Sequence, residues 1–140
     1  MKRLFCVLSV LGVLVGVAHS LMAQEGPTSV QDGVYSDAQA ERGEKFFGEA
    51  CMVCHQPEEF SDGGYLEGWS GQNVNDFVEF VRSTMPEDNP GRLKRREYID
   101  IITYFFKLNG LPAGENDLER KSLRGIQIEG PYGDASQDRH

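Results

Sequence analysis

A run of reactive side chains stands near the middle of the chain, where the sequence reads CMVCH over residues 51–55. Its two cysteines, Cys51 and Cys54, lie about one helical turn apart, so both thiols can face one side of a flat ring. The adjacent His55 can then offer an imidazole nitrogen to a metal at the centre of that ring. Cys-x-x-Cys-His is the attachment signature of c-type haem, with two thioethers and a proximal histidine on the iron. The run therefore predicts one covalently bound haem c.

Three other interpretations of this run compete with haem attachment. A redox-active Cys-x-x-Cys follows a β-strand and opens a helix, but no apolar run of β type precedes Cys51. A zinc site needs two more ligands, and the only other histidine outside the predicted leader is His140. A structural disulfide leaves His55 without a role. Haem attachment is the interpretation that uses all three side chains.

Met85 is the candidate for the second axial iron ligand. It precedes a proline and stands 30 residues after His55, whereas Met52 lies between the two cysteines and cannot reach the opposite face of the haem. The alternatives are that Met85 only fills a gap in the core, or that His140 binds the iron from an unorganised tail. His/Met ligation fills both axial positions and suits one-electron transfer without ligand exchange.

Two further features bear on the haem environment. Trp69 either donates its indole N–H to a haem propionate or packs as a core aromatic in the wall of the pocket. Four basic residues follow the Met85 segment, and they form either a solvated helix start or a docking surface for a redox partner. They are Arg92, Lys94, Arg95 and Arg96. The residues expected to line the pocket and exclude water are Phe77, Phe80, Val81 and Ile102.

The first part of the chain has the pattern of a secretory signal peptide, which we place at residues 1–23. A basic start is followed by an uncharged apolar run over residues 4–18, and cleavage after Ala23 or after Ser20 is expected. A membrane anchor is the alternative, but about 15 apolar residues fall short of the roughly 20 that span a bilayer. We therefore expect export to the periplasm without stable membrane insertion.

The charge of the chain narrows the classes of partner. The chain has 14 basic and 22 acidic residues, so that without Lys2 and Arg3 a formal net charge of −10 remains. This charge disfavours nucleic-acid binding. It serves solubility or the electrostatic steering of a protein partner.

Hydrophobic periodicity predicts a small all-α domain. A helix begins at Ser36 or Asp37, a second covers residues 75–83, and the longest covers residues 94–109. We divide the secreted chain into an N-terminal arm (24–35), a helical domain (36–114) and a polar C-terminal extension (115–140) with a disordered end. Gly43 costs helix stability and is expected to let another helix approach closely.

The chain resembles the class I monohaem cytochromes c. Gly43 and Phe47 stand eight and four residues before Cys51, where that family places a glycine and an aromatic residue in its first helix. Ile101 and Tyr104 look like the family's partners on the last helix. The resemblance implies a cytochrome c fold, with three to four helices around the haem and with the first and last helices crossing.

A narrower likeness points to a class of partner. Three segments look like those of small bacterial cytochromes found with periplasmic quinoprotein dehydrogenases. They are GVYS at 33–36, QAERG at 39–43 and LNGLPAG at 108–114. Such cytochromes often use a proline carbonyl to accept the N–H of the haem histidine. Here Pro57 follows His55 by only two residues, so the sequence leaves that acceptor open.

The function expected from these features is one-electron transport in the periplasm rather than catalysis. The expected partners are redox proteins: a periplasmic dehydrogenase, a terminal oxidase or another cytochrome. One alternative is a haem-based gas sensor or small peroxidase in which Met85 does not bind the iron. Another is a permanent subunit of a redox enzyme, anchored by residues 115–140.

Overall fold

The computed structural model describes residues 26–132, which contain α-helices and short 3-10 turns but no β-strand. The all-α prediction is therefore confirmed for this part of the chain. The helices are α1 (Asp37–Ala50), α2 (Gly64–Glu67), α3 (Val74–Thr84) and α4 (Arg95–Leu108), and the 3-10 turns are Val30–Asp32 and Pro57–Phe60. The predicted leader and residues 133–140 of the predicted extension lie outside the described residues.

Helix α1 begins where its N-cap predicts and packs directly on α4. The Ser36 hydroxyl accepts the backbone N–H of Gln39 at 3.1 Å, which satisfies one of the unpaired donors at the helix start. A Cβ at Gly43 would lie 1.9 Å from the carbonyl oxygen of Asp100 and 3.0 Å from Cβ of Tyr104. Only a glycine lets the two backbones approach this closely. The predicted role of Gly43 is confirmed.

A buried polar network joins the two helices to the segment that follows α4. Asp100 is 1% exposed, and its carboxylate accepts hydrogen bonds from Gln39 at 2.9 Å and from Arg42 at 3.4 Å. The same Gln39 amide donates to the carbonyl of Leu118 and accepts its N–H at 2.6 Å. Because each buried polar group has a partner, the network orders the helices and the segment relative to one another.

Residues 115–132 pack into the domain, and we refer to them as the C-terminal strap. Backbone hydrogen bonds run from Gln127 to Thr28, from Val30 back to Gln127, and from Ile128 to Gln72. The strap thereby joins the N-terminal arm to the start of α3. Its buried side chains are Leu118, Leu123, Ile126 and Ile128, and those of the arm are Val30, Val34 and Tyr35. The sequence predicts an extended arm at 24–35 and a polar extension in which residues 118–128 can pack a short turn against the body. The apolar residues of the two segments follow no helical or strand period, so the sequence does not predict their pairing.

The ends of α3 and α4 lie within one residue of the predicted bounds. Asn73 caps α3 by accepting the N–H of Asp76 at 3.1 Å. At α4 the Glu97 carboxylate accepts the N–H of Lys94 at 2.8 Å, so an acidic side chain offsets the basic start of that helix. Residues 98–106 of α4 are all buried, which makes this helix the centre of the core.

Candidate functional site

The two cysteines and the histidine lie on one turn that continues α1. The N–H of Cys51 donates to the carbonyl of Phe47 at 2.8 Å, and the N–H groups of Cys54 and His55 both donate to the carbonyl of Cys51. Cys51 is partly buried, whereas Cys54 is exposed, and both thiols are free. The turn thus presents two thiols and an imidazole at the same end of α1, as the spacing predicts.

One charged side chain of the loop between α3 and α4 acts on this turn. Burial raises the pKa of the Cys51 thiol, and the positive charge of Arg92 opposes part of that shift.

The imidazole of His55 is held by a residue that the sequence analysis did not identify. Its Nδ1 lies 3.1 Å from Oε2 of Glu59, and within residues 26–132 this carboxylate is its one hydrogen-bond partner. The ring also contacts Phe60, with centroids 5.5 Å apart. Nε2 is consequently the nitrogen left for a metal. The four-residue spacing of His55 and Glu59 was the available signal, but it predicts a contact only if the intervening residues turn as a helix does.

Glu59 is fixed by its own 3-10 turn. The backbone N–H of Gln56 donates to Oε1 of Glu59 at 2.8 Å. This hydrogen bond is the main reason that the pKa of the Glu59 carboxyl is lowered, and the hydrogen bond with His55 lowers it further. The carboxylate is therefore ionised at neutral pH.

Met85 is the C-cap of α3, and its backbone is anchored from two directions. Its N–H donates to the carbonyl of Val81 at 2.8 Å, and its own carbonyl accepts the hydroxyl of Tyr98 at 2.8 Å. The side chain is partly buried against the hydrophobic core. Tyr98 is a second residue that the sequence analysis placed only in a helical stripe, because the partner of its hydroxyl lies 13 residues earlier.

Aromatic rings form a continuous series of contacts that begins at His55. Phe60 contacts Tyr65 at 4.8 Å between centroids, Tyr65 contacts Phe77 at 5.9 Å, and Phe77 contacts Trp69 at 4.6 Å. Burial raises the pKa of the Tyr65 hydroxyl. Trp69 is itself partly buried and packs against the hydrophobic core.

The side chains expected to line a haem pocket differ in their burial. Of the expected pocket residues, Phe77, Val81 and Ile102 are buried, whereas Phe80 is 49% exposed beside Trp69. Within the cysteine turn itself Met52 is 47% and Val53 is 87% exposed. Two thiols, an imidazole nitrogen without a hydrogen bond to the described residues and a methionine thioether are a donor set that suits a covalently attached haem.

The predicted basic cluster is largely occupied by internal ion pairs. Arg95 pairs with Glu79 of α3, Arg96 pairs with Asp117 at 3.2 Å, and Lys94 pairs with Glu97 at 3.8 Å. These contacts neutralise much of the local positive charge. Arg92 is the member of the cluster whose charge acts on the cysteine turn.

Neither a family model, nor a curated protein, nor a solved structure matches this chain. Within residues 26–132, no helix combines the length and the apolar character that crossing a membrane requires. The same part of the chain contains no group of three or more His, Cys, Asp or Glu side chains that could hold a metal ion by themselves.

Proposed function

We propose that this protein is a one-electron carrier with a single haem c, attached through Cys51 and Cys54 and ligated by His55 and Met85. The observation that carries the proposal is the turn after α1. It presents both thiols together with an imidazole whose Nδ1 is already occupied by Glu59. This arrangement supports attachment through both thiols together with iron ligation through Nε2 of the adjacent His55.

The surrounding residues have defined tasks in this function. The hydrogen bond from the Tyr98 hydroxyl fixes the backbone of Met85. The methionine sulfur is therefore positioned before it binds the iron. Trp69 and Phe77 supply an apolar wall that excludes water, and Phe80 extends it toward the surface. Bound haem supplies a reversible ferric/ferrous couple, which His/Met ligation shifts toward the ferrous state.

We propose the periplasm as the site of action and a redox protein as the partner. The signal-peptide pattern of residues 1–23 supports export. The acidic net charge supports electrostatic steering of a partner with a basic docking surface. A periplasmic dehydrogenase is the donor that the likeness of residues 33–114 favours, with a terminal oxidase or another cytochrome as acceptor.

Covalent haem attachment is tested by producing the full chain in cells that contain a cytochrome c maturation system. After denaturation and organic extraction, the haem is expected to stay with the wild-type chain and to leave the double variant C51A/C54A. Cys6→Ala is the matched control, since this cysteine lies in the predicted leader and its loss should change nothing. A wild-type chain that gives up all its haem on extraction would overturn the proposal.

The second axial ligand is tested separately with methionine variants. Ferric wild-type protein is expected to show the weak far-red band of a sulfur–iron bond, and the ferrous protein is expected not to bind carbon monoxide. Met85→Ala should lose the band and bind carbon monoxide, whereas Met52→Ala should behave as wild type. If the wild-type protein itself lacks the band and binds carbon monoxide, the gas-sensor or peroxidase alternative replaces electron transport.

A further inference from the structure

We infer that Glu59 is a positioning residue for the haem ligand: its carboxylate orients His55 and lowers the reduction potential of the iron. The inference rests on the proposed function, because it concerns the ligand that the proposal assigns to the iron. It starts from the hydrogen bond of 3.1 Å between Nδ1 of His55 and Oε2 of Glu59.

The carboxylate is fixed independently of the histidine. One oxygen, Oε1, accepts the backbone N–H of Gln56 at 2.8 Å, and the N–H of Glu59 donates to the carbonyl of Gln56 at 3.1 Å. Pro57 opens this 3-10 turn and presets its backbone. The second oxygen, Oε2, therefore has a fixed position from which to accept the imidazole N–H.

The neighbouring Phe60 restricts the same ring by packing. Its ring is 8% exposed, lies 5.5 Å from the imidazole and stacks on Phe105 at 4.5 Å. Its carbonyl accepts a hydrogen bond from the Asn109 side chain at 2.6 Å. The turn of residues 57–60 thus holds the imidazole by one hydrogen bond and one ring contact, with Nδ1 directed to Glu59.

The charge of Glu59 has a consequence that a backbone carbonyl in the same place would not have. A carboxylate that accepts the N–H of a ligating histidine makes the imidazole a stronger electron donor. It also places a negative charge near the iron, which favours the ferric over the ferrous state. The Glu59 side chain is half exposed, so solvent screens part of this charge and the expected effect is moderate.

The test compares the reduction potentials of the holoproteins of wild type, Glu59→Gln and Glu58→Gln, measured by redox titration at one neutral pH. Glu58 is the matched control, because it is an exposed neighbour on the same turn, whereas the hydrogen bond and ion pair of His55 go to Glu59. In E59Q the equilibrium ratio of ferrous to ferric protein at a fixed potential is expected to rise about tenfold, which is about 59 mV for one electron. In E58Q the ratio should change less than about twofold, as expected for a screened surface charge.

Glu59→Asp supplies a second variant that keeps the charge and withdraws the carboxylate by one methylene. Its potential is expected to fall between those of wild type and E59Q, since the charge remains but the hydrogen bond is lost. The Nδ1 proton resonance of His55 in the ferrous holoprotein should shift in E59Q and E59D but not in E58Q. This readout does not depend on how stable each variant is.

The possible results separate this inference from the proposed function. If covalent haem and the far-red band are present but E59Q and E58Q change the potential equally, Glu59 has no positioning role and electron transport stands. A proton resonance that is the same in E59Q and wild type would also overturn the role of Glu59. If the wild-type chain carries no covalent haem, the proposed function falls, and this inference falls with it.

Discussion

The interface of α1 with α4 buries polar groups, whereas the surface around the cysteine turn exposes apolar ones. We refer to this surface, formed by Met52 and Val53, as the thiol face. At the interface Asp100 and Gln39 are each 1% exposed and their side chains are fully hydrogen-bonded. At the thiol face both side chains are at least 47% exposed.

This difference separates the part of the molecule that stabilises the fold from the part that is suited to binding. Buried polar groups with all partners satisfied specify one arrangement of helices. Exposed large apolar side chains contribute little to folding and mark a surface that a partner molecule can cover. Substitutions at the interface should therefore change the free energy of unfolding strongly, and substitutions at the thiol face should not.

The largest effect is expected from Gly43→Ala at the interface. The added Cβ would lie 1.9 Å from the carbonyl oxygen of Asp100, so α1 and α4 must move apart. We expect a loss of about 3 kcal/mol or more, the upper end of the typical cost of overpacking, because the close atoms belong to the backbone rather than to a flexible side chain. The measurement is chemical denaturation. The control is Gly48→Ala on the same helix, where the nearest atom is Sδ of Met52 at 3.9 Å and a gain of about 0.5–1 kcal/mol is expected.

The next effect concerns Asn109, which links the interface helix to the histidine turn. Its amide donates to the carbonyl of Phe60 at 2.6 Å and accepts the N–H of Gly63 at 3.0 Å. Asn109→Leu keeps the branching of the side chain but leaves the Phe60 carbonyl and the Gly63 N–H without this partner. The free energy of unfolding should fall by about 2–3 kcal/mol. Exposed Asn116→Leu should change it by less than about 0.5 kcal/mol, and equal losses in the two variants would contradict the assigned role.

A smaller and pH-dependent effect is expected at Asp117 in the C-terminal strap. Hydrogen bonds from Ser36 at 2.5 Å and Arg42 at 2.6 Å, together with the charges of Arg42 and Arg96, lower the pKa of this carboxyl, while burial opposes them. Asp117→Asn should reduce stability at neutral pH by about 1 kcal/mol, because the group is one-third exposed and partly screened.

The direction of the pH dependence follows from the lowered pKa. The stabilisation is fully present above the unfolded-state pKa of about 3.9 and is lost as the pH falls through the lower folded-state pKa. Denaturation curves of wild type and D117N should therefore converge in acid. Exposed Glu115→Gln serves as the control and should show no such convergence. If D117N remains less stable than wild type at the lowest pH, the loss of stability is due to packing and not to charge.

The smallest effect is expected at the thiol face. Val53 is 87% exposed, so Val53→Ser removes little buried apolar surface. The free energy of unfolding of the protein should change by less than about 0.5 kcal/mol, as measured by thermal or chemical denaturation. A loss comparable to that of Asn109→Leu would show that the thiol face stabilises the fold, and the contrast between the two regions would disappear.

Much of the helical frame could be predicted from local patterns, because those patterns act within a few residues. The Ser36 cap, the glycine at 43 and the apolar stripe of α4 each follow from helix geometry, and the structure has them as expected. For the N-terminal arm and the strap, the sequence predicts an extended arm and a polar extension with one short packed turn, but not their pairing. Their few apolar residues meet only through pairing between positions about 100 apart, such as Ser29 with Gln127, and no local period records it.

The candidate site shows the same difference between features that local sequence predicts and features that depend on tertiary packing. The sequence by itself determined the donors: two thiols and an imidazole share one turn because their spacing places them there, and a methionine before a proline follows at the end of a helix. Only the tertiary structure decided what surrounds them, namely Glu59 on Nδ1 of His55, Tyr98 on the Met85 backbone and the partial burial of Cys51. The physical reason is that donor type and spacing are local properties, whereas hydrogen-bond partners and burial depend on the packing of distant segments.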